Sequence, residues 1–285
     1  MVNKLWGYKP SMRRKALRFI CRILIFVFRI NGRSIFSNEF IQMLDPKVRV
    51  KFDNRDFWFK TGNGRLFWRA KTVLQEEPLM ISWVRAMDSH DVVLDIGANV
   101  GMYTILIASK VATVYSCDLD PLNISVLKEN LFLNDLLQKV KIIPLACGAK
   151  TEMVDVKFRS LSYGDALQLI SGGDETQSSG SNEYSSGHIS SVLQMSLDEL
   201  FADAKLVKPN KIKIDVDGNE LTVLQGAKDL ILSANEVYFE DSLSDSCKTV
   251  VQFLLSVGFE KYQSVEVFSI NSSDQRIGEN IVFKK

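Results

Sequence analysis

From Val92 to the C-terminus, short apolar runs alternate with longer stretches whose apolar positions recur every three or four residues. The short runs Val92–Asp95, Thr113–Cys117, Val140–Leu145, Lys211–Asp215 and Val237–Glu240 predict buried strands. The periodic stretches Gly101–Lys110, Pro121–Asn134, Glu220–Leu232 and Thr249–Val257 predict helices, with Pro121 suited to a first helical turn. Val265–Ile270 and Ile281–Lys284 read as a closing hairpin. Strand–helix alternation requires right-handed crossovers, hence an α/β, doubly wound, mostly parallel Rossmann-like sheet covered on both faces. Upstream, "VRVKF", "FWFKT" and "LFWRA" predict three short strands, with a turn at Gly62-Asn63-Gly64, and Leu74–Met87 predicts a lead-in helix. The pattern breaks between Lys150 and Ser196, where "SGGDETQSSGSNEYSSGH" predicts a mobile Ser/Gly-rich loop, set at residues 160–190.

The N-terminal pattern is different. At 100° per residue, Arg14, Lys15, Arg18, Arg22, Arg29 and Arg33 form one cationic stripe in a segment otherwise rich in Ile, Leu, Phe and Val. Its uncharged run, Ile23–Phe28, is far too short to span a bilayer, and no small-residue cleavage site follows. Two readings stand side by side. In one, residues 12–33 lie on an anionic membrane surface; in the other, the helix docks on its own domain with its arginines in solvent. The chain thus divides into a basic amphipathic helix (1–38), N-terminal strands with a lead-in helix (39–90), and a cofactor-binding domain (91–285).

Charge sharpens this division. Nine of the 35 basic residues precede the first acid, Glu39, leaving 26 basic against 34 acidic residues in the rest. An acidic body argues against a nucleic-acid partner. Four scattered cysteines without a C-x-x-C pair fit reduced thiols and a cytoplasmic setting, peripheral at a membrane if the first helix binds one. The two histidines, His90 and His188, are too few for a histidine-based metal cluster.

The chemistry concentrates in "VVLDIGANVGMYT". Asp95 closes the first strand, and Gly97, Ala98, Asn99 and Gly101 form the turn into the next helix. In an open parallel sheet this is where ligands bind. Asn99 stands where a dinucleotide fingerprint has glycine, and Asn tolerates positive φ. Asp118, in "CDLDP", lies about 20 residues after the turn, where an acid accepts both hydroxyls of an adenosine ribose. Asp120 either faces solvent or caps the helix at Pro121. A carboxylate at Asp95 suits a cationic ligand better than a pyrophosphate, which favours S-adenosylmethionine over NAD.

Together, "VVLDIGANVGMYT", "LKENLFLN", "SLDEL" and above all "KIKIDVDGNELTVLQGA" resemble the FkbM-type family of S-adenosylmethionine-dependent methyltransferases, over roughly Val48–Lys285. The resemblance implies a seven-stranded class I methyltransferase fold with its last two strands antiparallel, and O-methylation of sugars, polyketides and other secondary metabolites. It matches Asp95, Gly97, Asn99 and Gly101 to the cofactor turn and Asp118 to the family's usual ribose glutamate. It sets Ala146 and Cys147 at the adenine.

Hydroxyl methylation needs alignment and a proton acceptor or a metal. Asp215, ending the strand beside the first, is the best candidate base or substrate-orienting acid; Glu240 and Asp241 end the next strand. These acids would also suit Mg²⁺, though polar-substrate binding explains them more simply. Asp217 and Glu220 follow in the turn and the first turn of the next helix. His188 reads as a solvated loop histidine or a base carried in by that loop, His90 as a surface residue. Trp58 and Trp68 read as core residues or as platforms for a sugar ring. The function expected is methylation of a hydroxyl on a glycan, glycolipid or secondary metabolite. The rivals are an RNA methyltransferase, because "DLDP…N" also resembles tRNA guanosine methyltransferases, and a membrane-associated scaffold with a vestigial cofactor site.

Overall fold

The computed structural model describes residues 44–166, 169–170, 188–269 and 272–285, together with six helical positions nearer the N-terminus: Ala16, Phe19, Ile20, Arg22, Ile23 and Phe26. The other residues of the cationic stripe and most of the Ser/Gly-rich loop lie outside the described residues.

The body opens with a hairpin of β1 (Lys47–Phe52) and β2 (Arg55–Lys60), followed by helices α1 (Gly64–Glu76) and α2 (Pro78–Arg85). Then come β3 (Val92–Ile96), α3 (Met102–Lys110), β4 (Thr113–Asp118), α4 (Pro121–Leu133), β5 (Val140–Pro144) and β6 (Ala146–Cys147). Strands β7 (Glu152–Phe158), β8 (Leu169–Ile170) and β9 (His188–Met195) lead to α5 (Leu197–Asp203) and β10 (Lys211–Ile214). The chain closes with α6 (Glu220–Gly226), α7 (Lys228–Ser233), β11 (Glu236–Asp241), α8 (Asp245–Ser256), β12 (Glu260–Ser269) and β13 (Ser272–Lys284).

Seven strands form the main sheet in the order β12-β13-β11-β10-β3-β4-β5. The central pairs are parallel, and β13 runs antiparallel to both neighbours, so it alone opposes the other six. This is the doubly wound class I methyltransferase arrangement expected from the sequence, with β12 and β13 as its closing antiparallel hairpin. Strands β6, β9, β7 and β8 make a smaller sheet beside it. Two apolar cores sandwich the main sheet: one is built with the hairpin, α1, α2 and α3, the other with α5 through α8.

The main misreading lies in "LFWRA". It is helical because Asn63 accepts a hydrogen bond from Leu66 N (2.8 Å) as an N-cap, and Leu66, Ala70 and Val73 then bury one helical face. Pro78 splits the lead-in helix, and the 220–232 helix breaks after Gly226 into α6 and α7. Gly226 packs directly on the Gly148 carbonyl, where a Cβ would lie 1.8 Å away. Trp58 and Trp68 are not core residues: they are 42% and 44% exposed. His188 opens β9 opposite Phe158 instead of sitting within the loop, and it is exposed.

Two asparagines of "LKENLFLN" fix the hairpin. Asn134 pairs with both the N–H and C=O of Trp58, each at 2.8 Å, while Asn130 accepts from Lys60 N and donates to Val100 O, also at 2.8 Å each. Edge backbone groups are thereby satisfied by side chains, and the hairpin is tied to the turn that follows β3.

Candidate active site

The β3–α3 turn is held by its own backbone. Gly97 N and Ala98 N both donate to Cys117 O (3.0 and 2.9 Å), and Gly101 N donates to Ala98 O (2.9 Å). Gly97, Asn99 and Gly101 have φ of 83°, 51° and 79°, so Asn99 takes the left-handed conformation. The glycines serve close internal packing. A Cβ at Gly97 would meet Asp215 O at 1.8 Å, and one at Gly101 would meet Leu127 Cδ1 at 2.2 Å.

A cleft of about 280 Å³ opens over this turn. One end is lined by Cys117, Leu119, Leu145, Ala146, Cys147, Ala166 and Ile170, the other by Arg69, Glu77, Asp215, Asp217, Asn219 and Glu240; Gly97, Asn99 and Asp118 lie between them. Asp118 accepts from Asn99 N (2.7 Å) and Asp120 N (2.8 Å). Burial outweighs these donors and pushes its carboxyl up to about 6. Asp120 is buried and caps α4 by accepting from Leu122 N (2.9 Å), so its solvent-facing reading is set aside. Asp165 shapes the rim: its carboxylate takes Arg65, Arg159 and Ser160, while its carbonyl accepts from Asn99 Nδ2 (2.7 Å) and Asn123 Nδ2 (3.1 Å).

The acidic end rests on a row of polar residues across four neighbouring strands. Parallel register aligns Ser116, Asp95, Lys213 and Tyr238. Asp95 is only 1% exposed, and its Oδ2 accepts from Thr104 Oγ1 at 2.6 Å. Its Oδ1 makes no hydrogen bond but lies 3.4 Å from Lys213 Nζ. The carboxylate assigned from sequence to the cofactor's amine therefore faces an internal lysine, and it does not line the cleft.

Lys213 also donates to Asp215 Oδ2 at 2.6 Å. Burial opposes its charge, but Asp215, Asp95 and Glu77 outweigh it and hold the ammonium above its ordinary value. Burial would likewise raise Asp215; Lys213 and a hydrogen bond from Glu240 instead hold it at about 2. Glu240 is pushed far up, first by the charge of Asp215 and then by burial, so it is the protonated partner.

Pro78 ends α1 and leaves Glu77 at the junction with α2, facing the cleft. Tyr238 Oη donates to Glu77 Oε2 at 3.1 Å, and Tyr103 is hydrogen-bonded to the same carboxyl. Burial and the charge of Asp215 push Glu77 up to about 7. Sequence reasoning missed Glu77, Arg69, Lys213 and both tyrosines. The one signal present was a pair of acids before a proline, which carries no chemistry of its own.

Other expected residues lie elsewhere. Asp241 is buried and accepts from Leu243 N (2.7 Å), away from the cleft. Glu220 is buried, accepting from Gly218 N (3.1 Å) and Ser246 Oγ (3.3 Å) at the start of α6. His90 is exposed beside Asp88 at 3.4 Å. Among the described residues, no three His, Cys, Asp or Glu side chains converge as a metal-binding group.

A family model described as the Methyltransferase FkbM domain matches residues 95–261, more than half of the chain. The chain belongs to this family. The FkbM-type protein is therefore a methyltransferase that depends on S-adenosylmethionine. It is similar to the hexuronic acid methyltransferase AglP of Haloferax volcanii, 25% identical over 73% of this chain and 77% of that one. A tRNA (guanine(37)-N(1))-methyltransferase of Phytophthora infestans is 31% identical over only 32% of this chain and 21% of its own length. Among solved structures, the FkbM methyltransferase of Methylobacillus flagellatus superposes with a TM-score of 0.44 and 12% identity, covering 79% of this chain and 56% of that one.

Proposed function

We propose that this FkbM-type methyltransferase methylates a hydroxyl group of a sugar-containing acceptor, a glycan or glycolipid. The observation that carries the reading is Glu77, a buried carboxyl pushed up to about 7 that lines the acidic end of the cleft with Asp215 and Glu240 and is thereby suited to accept a proton. The Haloferax relative, named for its action on hexuronic acid, supports a sugar acceptor.

The residues fit the cofactor. The apolar end suits an adenine packed by Leu145, Ala146, Cys147 and Ile170, Asp118 retains lone pairs for ribose hydroxyls, and ionised Asp215 with Asp217 suits an ammonium. Bound S-adenosylmethionine supplies an electrophilic methyl group. Glu77 would accept the acceptor's hydroxyl proton, while Tyr103 and Tyr238 fix its carboxylate. Protonated Glu240 and Lys213 keep Asp215 ionised and turned towards the cleft. Asp95 acts through Lys213 as a positioning residue. Mg²⁺ is given no role: Lys213 already supplies the positive charge between Asp95 and Asp215.

Calorimetry with adenosylhomocysteine and with NAD tests the cofactor half of the proposal. Heat from NAD alone would end it. Asp118→Asn is expected to weaken adenosylhomocysteine by about 10- to 100-fold, the loss of charge-assisted hydrogen bonds worth about 1.5–3 kcal/mol. The ionised form of Asp118 is the better acceptor, so affinity should fall as pH drops through about 6 and the variant should lose this dependence. Labelled methyl transfer into extracts fractionated into glycan, lipid and RNA tests the acceptor; label confined to RNA would favour the rival reading.

The same proposal includes a membrane-associated acceptor. Phe19, Ile20, Ile23 and Phe26 are helical and 48–65% exposed, and among the described residues no helix is long and apolar enough to cross a membrane. Exposed apolar helical positions in a segment whose sequence is rich in Arg and Lys suit the interface of an anionic bilayer. The protein should co-sediment with phosphatidylglycerol vesicles and lose most of that binding when Phe19 and Phe26 become serine. Equal sedimentation of the variant would remove membrane contact from the reading.

A further inference from the structure

We infer that Arg69 is the carboxylate-binding residue of this cleft, an inference that rests on reading the cleft as an S-adenosylmethionine site. Between residues 44 and 166 the chain has six arginines, and five of them are engaged. Arg49 pairs with Asp56, Arg85 with Asp53, and Arg65 and Arg159 with Asp165, while Arg55 donates to Asn134 O. Arg69 differs. Its Nε is buried without a hydrogen-bond partner, and among the described residues no carboxylate lies within ion-pairing distance of its guanidinium. The guanidinium lines the cleft at its acidic end, where its field helps to hold Asp215 ionised.

A guanidinium cannot shed its charge, and it presents a planar fork of donors that matches a carboxylate. Leaving a buried N–H of such a group without an acceptor is unfavourable, so the position is suited to an acceptor that arrives with the ligand. The electrostatics narrow the choice of place. Glu77, Asp118, Asp215, Asp217 and Glu240 also line the cleft, and Arg69 is the one cationic side chain among its described lining residues. Incoming ammonium groups have several acids to meet. Among the described lining residues, an incoming carboxylate meets an attracting charge only at Arg69. Its helix explains the placement: α1 buries Leu66, Ala70 and Val73 on one face, and Arg69 projects over the cleft two turns before Glu77.

Two sources can deliver that carboxylate: the methionyl end of the cofactor, or an acidic sugar acceptor. Calorimetry separates them. The unsubstituted protein is titrated with adenosylhomocysteine and with decarboxylated adenosylhomocysteine; then, saturated with adenosylhomocysteine, it is titrated with glucuronate and with glucose. If the cofactor is the source, adenosylhomocysteine binds about 10- to 100-fold tighter than its decarboxylated analogue, and Arg69→Met erases the difference. If the acceptor is the source, the variant keeps its adenosylhomocysteine affinity, and a preference for glucuronate over glucose disappears. Arg69→Lys keeps the charge but loses the fork, so it should lie between the two and still report should Arg69→Met not fold. The inference is overturned if folded Arg69→Met matches the unsubstituted protein in both comparisons, or if that protein ignores the carboxylate in both. Absence of any adenosylhomocysteine binding by the unsubstituted protein would instead overturn the cofactor reading beneath it.

Discussion

Lys213→Met is expected to destabilise the fold by about 3–5 kcal/mol, the usual cost of removing one partner from a buried ion pair. Lys213 is 2% exposed in its side chain, 2.6 Å from Asp215 and 3.4 Å from Asp95. Without it, Asp95 keeps only Thr104 as a donor, and Asp215 and Glu77 lose the charge that favours their ionised forms. The sign of the pH dependence follows. Carboxyls whose folded pKa lies above the unfolded value stabilise fully below the unfolded value, and that contribution is lost as pH rises. The variant's deficit should therefore grow from about pH 4 upwards. Urea unfolding at pH 5 and pH 8 measures both effects. Adding Asp95→Asn should recover part of the loss, because an amide tolerates a site without a cation. A deficit under about 1 kcal/mol at pH 8 would mean that Lys213 does not hold this row together.

The same lysine shows where sequence reading stops. "KIKI" reads as a buried strand, and β10 is central with all four of its residues buried, but nothing within the run says what neutralises its two lysines. Lys211 finds Glu236 at 2.9 Å, and Lys213 finds acids from its own and the neighbouring strand. The β3–α3 turn, Asp118, Ala146 and Cys147 were legible because spacing along the chain fixes them relative to a strand end. The orientation of Asp95 was not, since it depends on a lysine 118 residues later. Glu77 was equally hidden: its partner Tyr238 lies 161 residues away, and nothing local separates a cleft-facing acid from a solvated one. "LFWRA" misled because aromatic residues favour strands on average, whereas a single asparagine cap and a threefold-to-fourfold burial pattern made this segment helical. Local patterns thus located the residues at the apolar end of the cleft, while its acidic end is assembled from pairings across the sheet.

Glu77→Gln should separate the two carboxylates that compete for the role of base. Asp215, held at about 2, is ionised throughout the working range but weakly basic, because Lys213 and Glu240 already occupy its charge. Glu77, at about 7, changes charge within that range. If Glu77 takes the proton, the rate of labelled methyl transfer should rise with pH through about 7, since only its ionised form accepts. Glu77→Gln keeps the shape and the tyrosine contacts but removes the basic site. It should lower the rate by about 10²- to 10⁴-fold and abolish that pH limb, with adenosylhomocysteine affinity changed by no more than about threefold. Asp215→Asn should behave differently: cofactor affinity falls, and the limb near 7 remains. The two profiles distinguish a proton acceptor from an electrostatic anchor, which a simple loss of activity cannot. Should Glu77→Gln retain more than about a tenth of the rate with its pH limb intact, the proton goes elsewhere, and the paired tyrosines hold Glu77 for packing alone.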